Sequence, residues 1–378
     1  MRKFSLLIVT MILLFSSACG GQSPDVRQQE EPTEPSEPTQ EEKEELFIGE
    51  LIDGMSLDEQ VAQLFILSLS AEVTGAGGYI LFSEDISTVE GTRALTDELI
   101  RSSKVPPIIC IDEEGGAVSR LASAKLPGYT PQQAAQKIGA TGDVQNAYSA
   151  GEEIGKALAV IGVSVNFAPV ADVLVNSKSA VIGNRSFGSD PLLVSDMASA
   201  FQAGLHSAGV MATPKHFPGH GGVETDPHIR PASIERTLGQ LSSVEYKPFD
   251  RLIGEGAKFI MAGHIIALGI EPNDLPATLS GYFLTNVLRG ELGFSEVVVT
   301  DAMNMGAITN NYASAEAAVM AIKAGADMIL MPEDYHEAKD GVLQAVSDGS
   351  ITSGRIRESL SRILRVKLAA GLIQANTF

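Results

Sequence analysis

Short, almost wholly apolar segments recur along the chain from about residue 47 onward, and a loop and a helical pattern follow most of them. Segments with so little polar alternation are typical of parallel strands, which are covered by helices on one face and packed together on the other. Eight such segments occur, in the order QLFILSL, GGYILF, PPIICID, SVNFAPVADV, GVMATPKH, KFIMAGHII, EVVVTDAM and ADMILMP. The pattern predicts eight β-strands that alternate with helices.

The segments between the predicted strands carry helical periodicity. In SAEAAVMAIKAGA the residues Ala315, Ala318, Val319 and Ile322 share one apolar face, and AYSAGEEIGKALAVIG is similar. After the eighth strand, GSITSGRIRESLSRILRVKLAAGLI predicts closing helices with a turn at Ser353 and Gly354. Eight strand–helix units in roughly 330 residues predict an α/β fold, a (β/α)8 TIM barrel forming a single catalytic domain over residues 47–378. A doubly wound open sheet is the alternative.

The N-terminus has the features of an export signal. Arg2 and Lys3 precede the apolar run FSLLIVTMILLF, and the small residues SSAC follow it, so residues 1–18 are predicted to be a signal peptide. Cys19 directly after Ser17 and Ala18 resembles a bacterial lipobox, in which the cysteine is lipidated, although Ser16 stands where leucine is usual. A lipoprotein-type signal is therefore expected, with an ordinary cleaved signal as the alternative.

Residues 19–46 are rich in Glu, Pro, Gln and Ser and nearly lack large apolar groups, so they are predicted to be a disordered acidic tether. The chain has a formal net charge of -20, which argues against nucleic acid or an anionic membrane surface as a partner. With Cys19 lipidated, Cys110 is the other cysteine of the two, and its apolar surroundings predict a buried core residue.

Polar side chains end several of the predicted strands, and in a barrel such positions meet at one mouth. They are Asp112 with Glu113 and Glu114, then Asp172, Lys215 with His216, His264, and Asp301. Asp301, at the end of VVVTDAM, is a candidate nucleophile or ligand. Taken alone, an aspartate there is equally explained as the cap of the next helix.

The segment TPKHFPGHGGVETDPH contains three of the six histidines, with prolines and glycines that exclude a regular helix or strand. Asp226 and His228 lie two residues apart on this predicted loop. A carboxylate beside an imidazole orients it and favours its protonated form, which suits a proton donor near neutral pH. Pro218, Gly219, Gly221 and Gly222 permit the sharp turns that would fold this pair over a site.

The same segment, KHFPGHGGVETDPH, resembles the K-H-F-P-G-H-G-x4-D-x-H signature of the β-N-acetylglucosaminidase branch of glycoside hydrolase family 3. The blocks IDEEGGAVSRL, GNRSFGSDP, VVVTDAMNMGAI and RIRESLSRILRVKLAAGLI are similar to that family's other motifs. The resemblance covers roughly residues 47 to 375.

The resemblance implies a role for each matched residue. Asp301 corresponds to the nucleophile that forms a glycosyl-enzyme intermediate, and His228, paired with Asp226, to the acid/base. The residues expected to bind the sugar at the −1 subsite are Asp112, Arg120, Arg185, Lys215 and His216. A double displacement with retention needs such a carboxylate and proton donor.

The chain departs from the family pattern at a few positions. Ala117 stands where the family often has arginine, and Gly222, Val223 and Pro227 differ from the usual loop residues. These differences bear on loop mobility and leaving-group preference more than on the core chemistry.

The residues of the histidine segment and the N-terminus are also compatible with other functions. His216, His220, Asp226 and His228 form a candidate zinc set, against which the adjacent Lys215 argues. A non-catalytic sugar-binding lipoprotein would suit the anchor and tether but has no need of Asp301 together with the Asp226/His228 pair. Within the family the alternatives are a β-glucosidase or β-xylosidase and a β-N-acetylglucosaminide phosphorylase.

The resemblance implies a retaining exo-β-N-acetylglucosaminidase that removes terminal β-linked N-acetylglucosamine from glycans, and together with the predicted export it makes peptidoglycan fragments the expected substrate. No cofactor or metal is expected. The predicted partner is the carbohydrate substrate, with membrane contact only through the lipid anchor and no nucleic acid. The expected state is an extracytoplasmic, membrane-anchored monomer.

Overall fold

A computed structural model describes residues 39–71, 73–179, 181–223, 232–271 and 274–374. The predicted signal peptide, Cys19 and the predicted tether up to residue 38 lie outside these ranges, as do Asp226 and His228. Residues Glu41–Phe378 group into one compact unit. Within the described residues, none of the helices combines the length and the apolar character needed to cross a membrane.

Each of the eight apolar segments contains a strand, so the strand predictions are confirmed. The strands are β1 Phe65–Ser68, β2 Gly78–Leu81, β3 Ile108–Ile111, β4 Glu113–Gly115, β5 Val118–Ser119, β6 Val165–Asn166, β7 Met211–Ala212, β8 Ala232–Ile234, β9 Phe259–Ala262, β10 Ile265–Ala267, β11 Val297–Thr300 and β12 Ile329–Leu330. The strands outside the eight segments are β4 and β5, which form an antiparallel hairpin directly after β3, and β8, which pairs in parallel with β10. Every residue of β2, β3, β9 and β11 is buried, as expected for strands covered on both faces.

The eight strands are linked by parallel pairings. Six of them form one sheet in the order β12-β1-β2-β3-β6-β7, and β9 pairs with β11. Two isolated parallel bridges continue the series: Phe217, beyond β7, pairs with Ala262 of β9, and Val299 of β11 pairs with Met328, next to β12. This parallel sheet with its α/β connections is compatible with a (β/α)8 barrel.

Helices lie between the strands and cover the sheet. They are α1 Gln40–Asp53, α2 Leu57–Ala62, α3 Val89–Arg101, α4 Arg120–Ser123, α5 Ala135–Gly139, α6 Val144–Val160, α7 Pro191–Ser207, α8 Leu238–Ser243, α9 Tyr246–Gly254, α10 Gly306–Thr309, α11 Ser314–Ala324, α12 Tyr335–Ser347 and α13 Ser353–Ala369, with a π-helix at Tyr282–Glu291. Residues of α6 and α11 that face the sheet are buried, including Ile154, Leu158, Ala318 and Ile322. Cys110 in β3 is fully buried, as its sequence context indicates.

The folded domain begins earlier than residue 47, which corrects the predicted tether boundary. Helix α1 starts at Gln40, and its first residues are Gln, Glu, Lys and Leu, all good helix formers. The later turns of α1 bury Phe47, Ile48 and Ile52 in the main core, which supports the exposed first turns. Composition alone therefore placed the end of the tether too late.

The closing segment is one helix, and the predicted turn at Ser353 and Gly354 is wrong. Both residues lie in the first turn of α13, where the Thr352 side chain accepts a hydrogen bond from the Arg355 backbone N–H. Because Thr352 caps the helix, Ser353 and Gly354 form its first turn and do not separate two helices.

A buried carboxylate connects α13 and the π-helix to the start of β12. Asp327 is fully buried; its Oδ2 accepts from Arg289 Nη2 at 2.6 Å, and its Oδ1 lies 3.0 Å from Arg362 Nη1 and 3.5 Å from Arg355 Nη1. The same carboxylate accepts from the Ser359 hydroxyl and from the Val298 backbone N–H. One negative charge therefore binds three cationic side chains, one from the π-helix and two from α13.

Substitution of this carboxylate should destabilise the fold strongly. We expect Asp327→Ala to lower the free energy of unfolding by about 3–5 kcal/mol, because it leaves partly buried guanidinium groups without their counter-charge. Urea unfolding followed by circular dichroism measures the change. Asp340→Ala, at an exposed position of α12, is the control, and a loss no larger than that of the control would contradict the assigned role.

Candidate active site

A cavity of about 490 Å³ opens where the strands end. Residues near or beyond the carboxyl ends of β2, β3, β7, β9, β11 and β12 line it. Six of the eight residues predicted for catalysis or sugar binding are among them: Asp112, Arg120, Arg185, Lys215, His216 and Asp301. Residues that are more than 180 positions apart in the sequence therefore share one cavity.

The inner wall of this cavity is a network of alternating charges. Lys215 Nζ lies 2.7 Å from Asp112 Oδ1 and 2.7 Å from Glu114 Oε1. Arg185 makes a bidentate pair with Glu114, with Nε–Oε2 at 2.8 Å and Nη2–Oε1 at 2.7 Å. Arg120 Nη2 lies 3.3 Å from Asp112 Oδ2, and its guanidinium sits 5.4 Å from the centre of the Phe82 ring. Fixed donors and acceptors of this kind suit a ligand rich in hydroxyl groups.

These charges stabilise one another although they are withdrawn from water. The side chains of Lys215 and Glu114 are only 3% and 5% exposed. Burial would raise the pKa of Glu114, but the charges of Lys215 and Arg185 outweigh it and hold the pKa below its usual value. Burial would likewise lower the pKa of Lys215, yet Asp112 and Glu114 raise it. Both groups are therefore charged at neutral pH.

Asp301 follows β11 directly and presents a carboxylate to the same cavity. Its backbone N–H donates to the Ala262 carbonyl at 2.8 Å, and its Oδ1 accepts from the Ala302 backbone N–H at 2.8 Å. Burial would raise its pKa, but the neighbouring His216 and His264 and the bond from Ala302 lower it. Asp301 is thus held in the ionised form that a nucleophile requires.

A second carboxylate, Asp172, lies beneath the cavity and positions the histidine segment. It is fully buried, accepts from the backbone N–H groups of His216 at 3.2 Å and His220 at 2.6 Å, and lies 2.8 Å from His216 Nδ1. Since Nδ1 of His216 is engaged by Asp172, Nε2 is the ring nitrogen left for a ligand. The sequence indicated Asp172 only as a polar strand end and gave no sign of this role.

Glycine at position 221 is required by a close approach of the same segment to the chain after β6. A Cβ atom on Gly221 would lie 1.8 Å from the Val173 carbonyl oxygen, and the Gly221 carbonyl accepts from the Asn176 backbone N–H at 2.9 Å. No side chain fits there, so the loop can descend to Asp172 only with glycine at this point.

His220 also lines the cavity, although the sequence marked it only as a possible metal ligand. Its ring lies edge-on to that of His216, with centroids 5.7 Å apart. Burial and the neighbouring His216 lower the pKa of His220 to about 4, so the ring is neutral at pH 7. Among the described residues, no group of three or more His, Cys, Asp or Glu side chains is arranged to hold a metal ion.

Not every polar residue at a strand end lines the active-site cavity. Glu113 points away from the cavity, between Asp112 and Glu114, because successive strand residues face opposite sides; it accepts from the Leu121 N–H and the Tyr129 hydroxyl. His264 is buried and pairs with Thr278 Oγ1 at 2.6 Å and the Ala302 carbonyl at 2.9 Å. These side chains, like Asp172, support the lining residues from behind.

The predicted acid/base pair, Asp226 and His228, falls outside the described residues. The described chain stops at Val223 and resumes at Ala232, both of which are buried. Their roles stay predictions based on the sequence.

Comparison with known proteins agrees with the chemistry of this cavity. The model of the glycosyl hydrolase family 3 N-terminal domain matches residues 56–366. A β-hexosaminidase of Alkalilimnicola ehrlichii is 37% identical over 278 residues, which cover 72% of this chain and 78% of the relative. A β-hexosaminidase of Idiomarina loihiensis is 33% identical over 327 residues, which cover 83% of this chain and 94% of the relative.

A solved structure is also similar to this chain in fold and in sequence. The glycoside hydrolase family 3 β-N-acetylglucosaminidase from Paenibacillus sp. matches with a TM-score of 0.80 and 35% sequence identity over 84% of this chain. The chain spans 63% of the length of that protein.

The family model and these relatives define the class of protein as a glycoside hydrolase, and the cavity holds a strand-end aspartate together with a network of charged side chains. The chain belongs to glycosyl hydrolase family 3, which confirms the resemblance found in its motifs.

The charge network predicts a specific dependence of stability on pH. Because the pKa of Glu114 is lowered in the folded state, its stabilisation is fully present above its ordinary pKa of 4.5 and is lost as the pH falls below that value. We expect Glu114→Gln to lower the free energy of unfolding by about 3 kcal/mol at pH 7, because the neutral amide no longer balances the charges of Lys215 and Arg185. The difference from wild type should narrow by more than about 1 kcal/mol at pH 3.

Urea unfolding of both proteins at the two pH values measures this. Glu358→Gln, at an exposed position of α13, is the control. A difference that stays constant between pH 7 and pH 3 would show that Glu114 is not an ionised partner of Lys215 and Arg185.

Proposed function

We propose that the chain is a β-N-acetylhexosaminidase, and more specifically a retaining, exo-acting β-N-acetylglucosaminidase built on a (β/α)8 barrel. The observation that carries this proposal is the shared cavity, in which the ionised Asp301 faces the network of Lys215, Glu114 and Arg185. The β-hexosaminidases among its relatives and the Paenibacillus β-N-acetylglucosaminidase support the choice of an aminosugar substrate. The two bridges that join the β9/β11 pair to the six-stranded sheet support a closed barrel in one catalytic domain.

In the first step, an Asp301 carboxylate oxygen attacks the anomeric carbon of the terminal sugar. The bond to the leaving oxygen breaks, His228 donates a proton to that oxygen, and an ester joins the sugar to Asp301. In the second step, neutral His228 accepts a proton from water, the water oxygen attacks the anomeric carbon, and Asp301 leaves as a carboxylate. Two inversions give net retention.

The other residues act by binding and orientation. Asp112, Arg120, Arg185, Lys215 and Nε2 of His216 hold the sugar hydroxyls, and Asp226 orients the His228 ring and favours its protonated form. A histidine donor becomes neutral after donating, so it adds no second negative charge beside Asp301. The resemblance of the motifs to the β-N-acetylglucosaminidase branch of the family supports exo action on a terminal sugar.

The cellular context is proposed from the N-terminal sequence. Residues 1–18 would direct export, and Cys19 would carry the lipid. The acidic residues after Cys19 would hold the domain away from the membrane surface, and the protein would act as a monomer. An enzyme in that place would meet peptidoglycan fragments that end in N-acetylglucosamine.

Loss of Asp301 should remove most of the activity. The wild type should release 4-nitrophenol from 4-nitrophenyl β-N-acetylglucosaminide, and Asp301→Asn should lower kcat by at least about 10³-fold, because the covalent step is lost. A slow fluorinated aminosugar should label Asp301, as identified by peptide mass spectrometry. Labelling of another residue would overturn the assignment, and formation of the sugar 1-phosphate in phosphate buffer would favour the phosphorylase alternative.

The role of His228 can be separated from binding by the choice of leaving group. We expect His228→Ala to lower kcat/KM by about 10²–10⁴-fold on an N-acetylglucosamine disaccharide, whose leaving oxygen needs a proton. The loss on a 2,4-dinitrophenyl glycoside should be much smaller, because that leaving group departs as an anion. Equal losses on the two substrates would count against His228 as the acid.

A further inference from the structure

The chain on the two sides of residues 224–231, the segment that carries Asp226 and His228, lies at one place in the fold. A Cβ atom placed on Gly222, just before this segment, would lie 3.5 Å from Cγ2 of Ile234, just after it in β8. The segment therefore leaves the folded core and returns to it at neighbouring points. Where it can place its side chains depends on what holds these two ends.

A buried carboxylate, Glu245, contacts the chain on both sides of this segment. Glu245 directly precedes α9, and its side chain is 1% exposed. On the C-terminal side is Arg236, two residues after β8; its Nε lies 2.8 Å from Glu245 Oε1, and its Nη2 donates to Oε2 at 3.0 Å. On the N-terminal side is Gly219, where a Cβ atom would lie 2.7 Å from the Glu245 Cβ. One side chain thus bridges the two ends.

The contact with Glu245 depends on glycine at position 219. Gly219 has φ of 134°, in the region that favours glycine, and its N–H donates to the His216 carbonyl at 2.8 Å in a tight turn. Both the backbone conformation and the space beside Glu245 therefore exclude a side chain here. The turn that follows His216 is packed directly against the carboxylate-bearing residue.

Aromatic packing holds Glu245 in this position. The Phe217 ring stacks on Tyr246 with centroids 5.7 Å apart and lies edge-on to Phe249 with centroids 5.4 Å apart. Tyr246 and Phe249 belong to α9, so the start of this helix is fixed against the histidine segment. Such aromatic contacts restrict the position of the backbone from which the Glu245 side chain extends.

The pair of Arg236 and Glu245 is withdrawn from water and is therefore strongly coupled. Burial raises the pKa of the Glu245 carboxyl, and the hydrogen bond and charge of Arg236 oppose that shift in part. The ionised form of Glu245 thus depends on Arg236. Neither side chain lines the active-site cavity, so any effect of the pair on catalysis must act through other residues.

We infer that Arg236 and Glu245 are positioning residues for the acid/base: their ion pair joins the two ends of the 224–231 segment and so determines where His228 meets the leaving oxygen. This inference rests on the proposed function. The buried Asp172 supports His216 on the sugar-binding side of the same histidine segment. Loss of the Arg236–Glu245 pair should therefore impair proton donation more than sugar binding.

Replacement of Arg236 by lysine should produce a loss that depends on the leaving group. Lysine keeps the charge but supplies one point of contact where the guanidinium supplies two. We expect Arg236→Lys in the full-length chain to lower kcat/KM for the N-acetylglucosamine disaccharide by about 10-fold or more, because a displaced donor transfers its proton poorly. For the 2,4-dinitrophenyl glycoside, whose leaving group needs no proton, kcat/KM should fall by less than about 2-fold. Equal losses on the two substrates would overturn the inference.

Arg289→Lys is the matched control. The side chains of Arg289 and Arg236 are 16% and 17% exposed, and those of their partners Asp327 and Glu245 are 0% and 1% exposed. Asp327 precedes β12 and does not line the active-site cavity. Arg289→Lys should lower Tm, but it should change kcat/KM for the two substrates by the same factor. A dependence on the leaving group as large as that of Arg236→Lys would overturn the inference.

Glu245→Gln tests the other partner and carries the test if Arg236→Lys fails to fold. The amide keeps the shape of the side chain and removes its charge, so the ion pair is lost while the contact with Gly219 is kept. The disaccharide should again lose more kcat/KM than the dinitrophenyl glycoside. An effect of Arg236→Lys without a similar effect of Glu245→Gln would overturn the role of the pair.

Hydrogen exchange distinguishes failure of this inference from failure of the proposed function, because it does not depend on turnover. Backbone amides in peptides that cover residues 224–231 should exchange about 10-fold faster or more in Arg236→Lys and Glu245→Gln than in wild type, and at the wild-type rate in Arg289→Lys. This result supports the positioning role even if the wild type fails to cleave the aryl substrate. Unchanged exchange in the two pair variants overturns it whatever the catalytic result.

Discussion

The burial of Lys215 between two carboxylates is the constraint on which the site depends. An ammonium group that is 3% exposed is tolerable only where opposite charges replace water, and Asp112 and Glu114 do so at 2.7 Å each. Glu114 is in turn held by the two parallel bonds of Arg185. Because removal of Glu114 would take a counter-charge from both Lys215 and Arg185, the network fixes the shape of the cavity wall and supplies a preorganised set of donors and acceptors.

The lining residues are held in place by a layer of polar groups behind them. Asp172 binds two backbone N–H groups and one imidazole of the histidine segment, and His264 connects the Ala302 carbonyl to Thr278. Ala302 also donates to Asp301, so the nucleophile candidate is tied through one residue to this second layer. Positional precision at a catalytic site comes from such supporting contacts as much as from the lining groups themselves.

The chain is also held together at the opposite end of β12. Asp327, just before that strand, is paired with Arg289, Arg355 and Arg362, while Met331, just after it, lines the active-site cavity and has a left-handed backbone φ of 46°. A two-residue strand thus connects a buried charge cluster to a cavity-lining residue in a strained backbone conformation. Anchoring on one side offers a physical reason why the unfavourable backbone at Met331 can persist on the other.

The sequence by itself determined the eight strands, the family and six of the residues that meet in the cavity. Its signals were local: apolar runs without alternation, a polar residue at the end of each, and motifs such as KHFPGHG. Because parallel strands end at one edge, strand-end residues far apart in the sequence could be placed together without coordinates. The start of the folded domain at α1 and the start of α13 do not follow from the sequence pattern, because helix starts depend on packing and caps that composition does not reveal.

Only the tertiary structure decided which polar strand ends line the cavity and which support it. Asp112, Glu113 and Glu114 are adjacent carboxylates in the sequence, but alternation in the strand turns the middle one to Tyr129 and the outer two to Lys215. The pairing of Asp172 with His216 and the neutral state of His220 depend likewise on distances between segments. Burial and electrostatic coupling are properties of the packed chain, and no local pattern of residues encodes them.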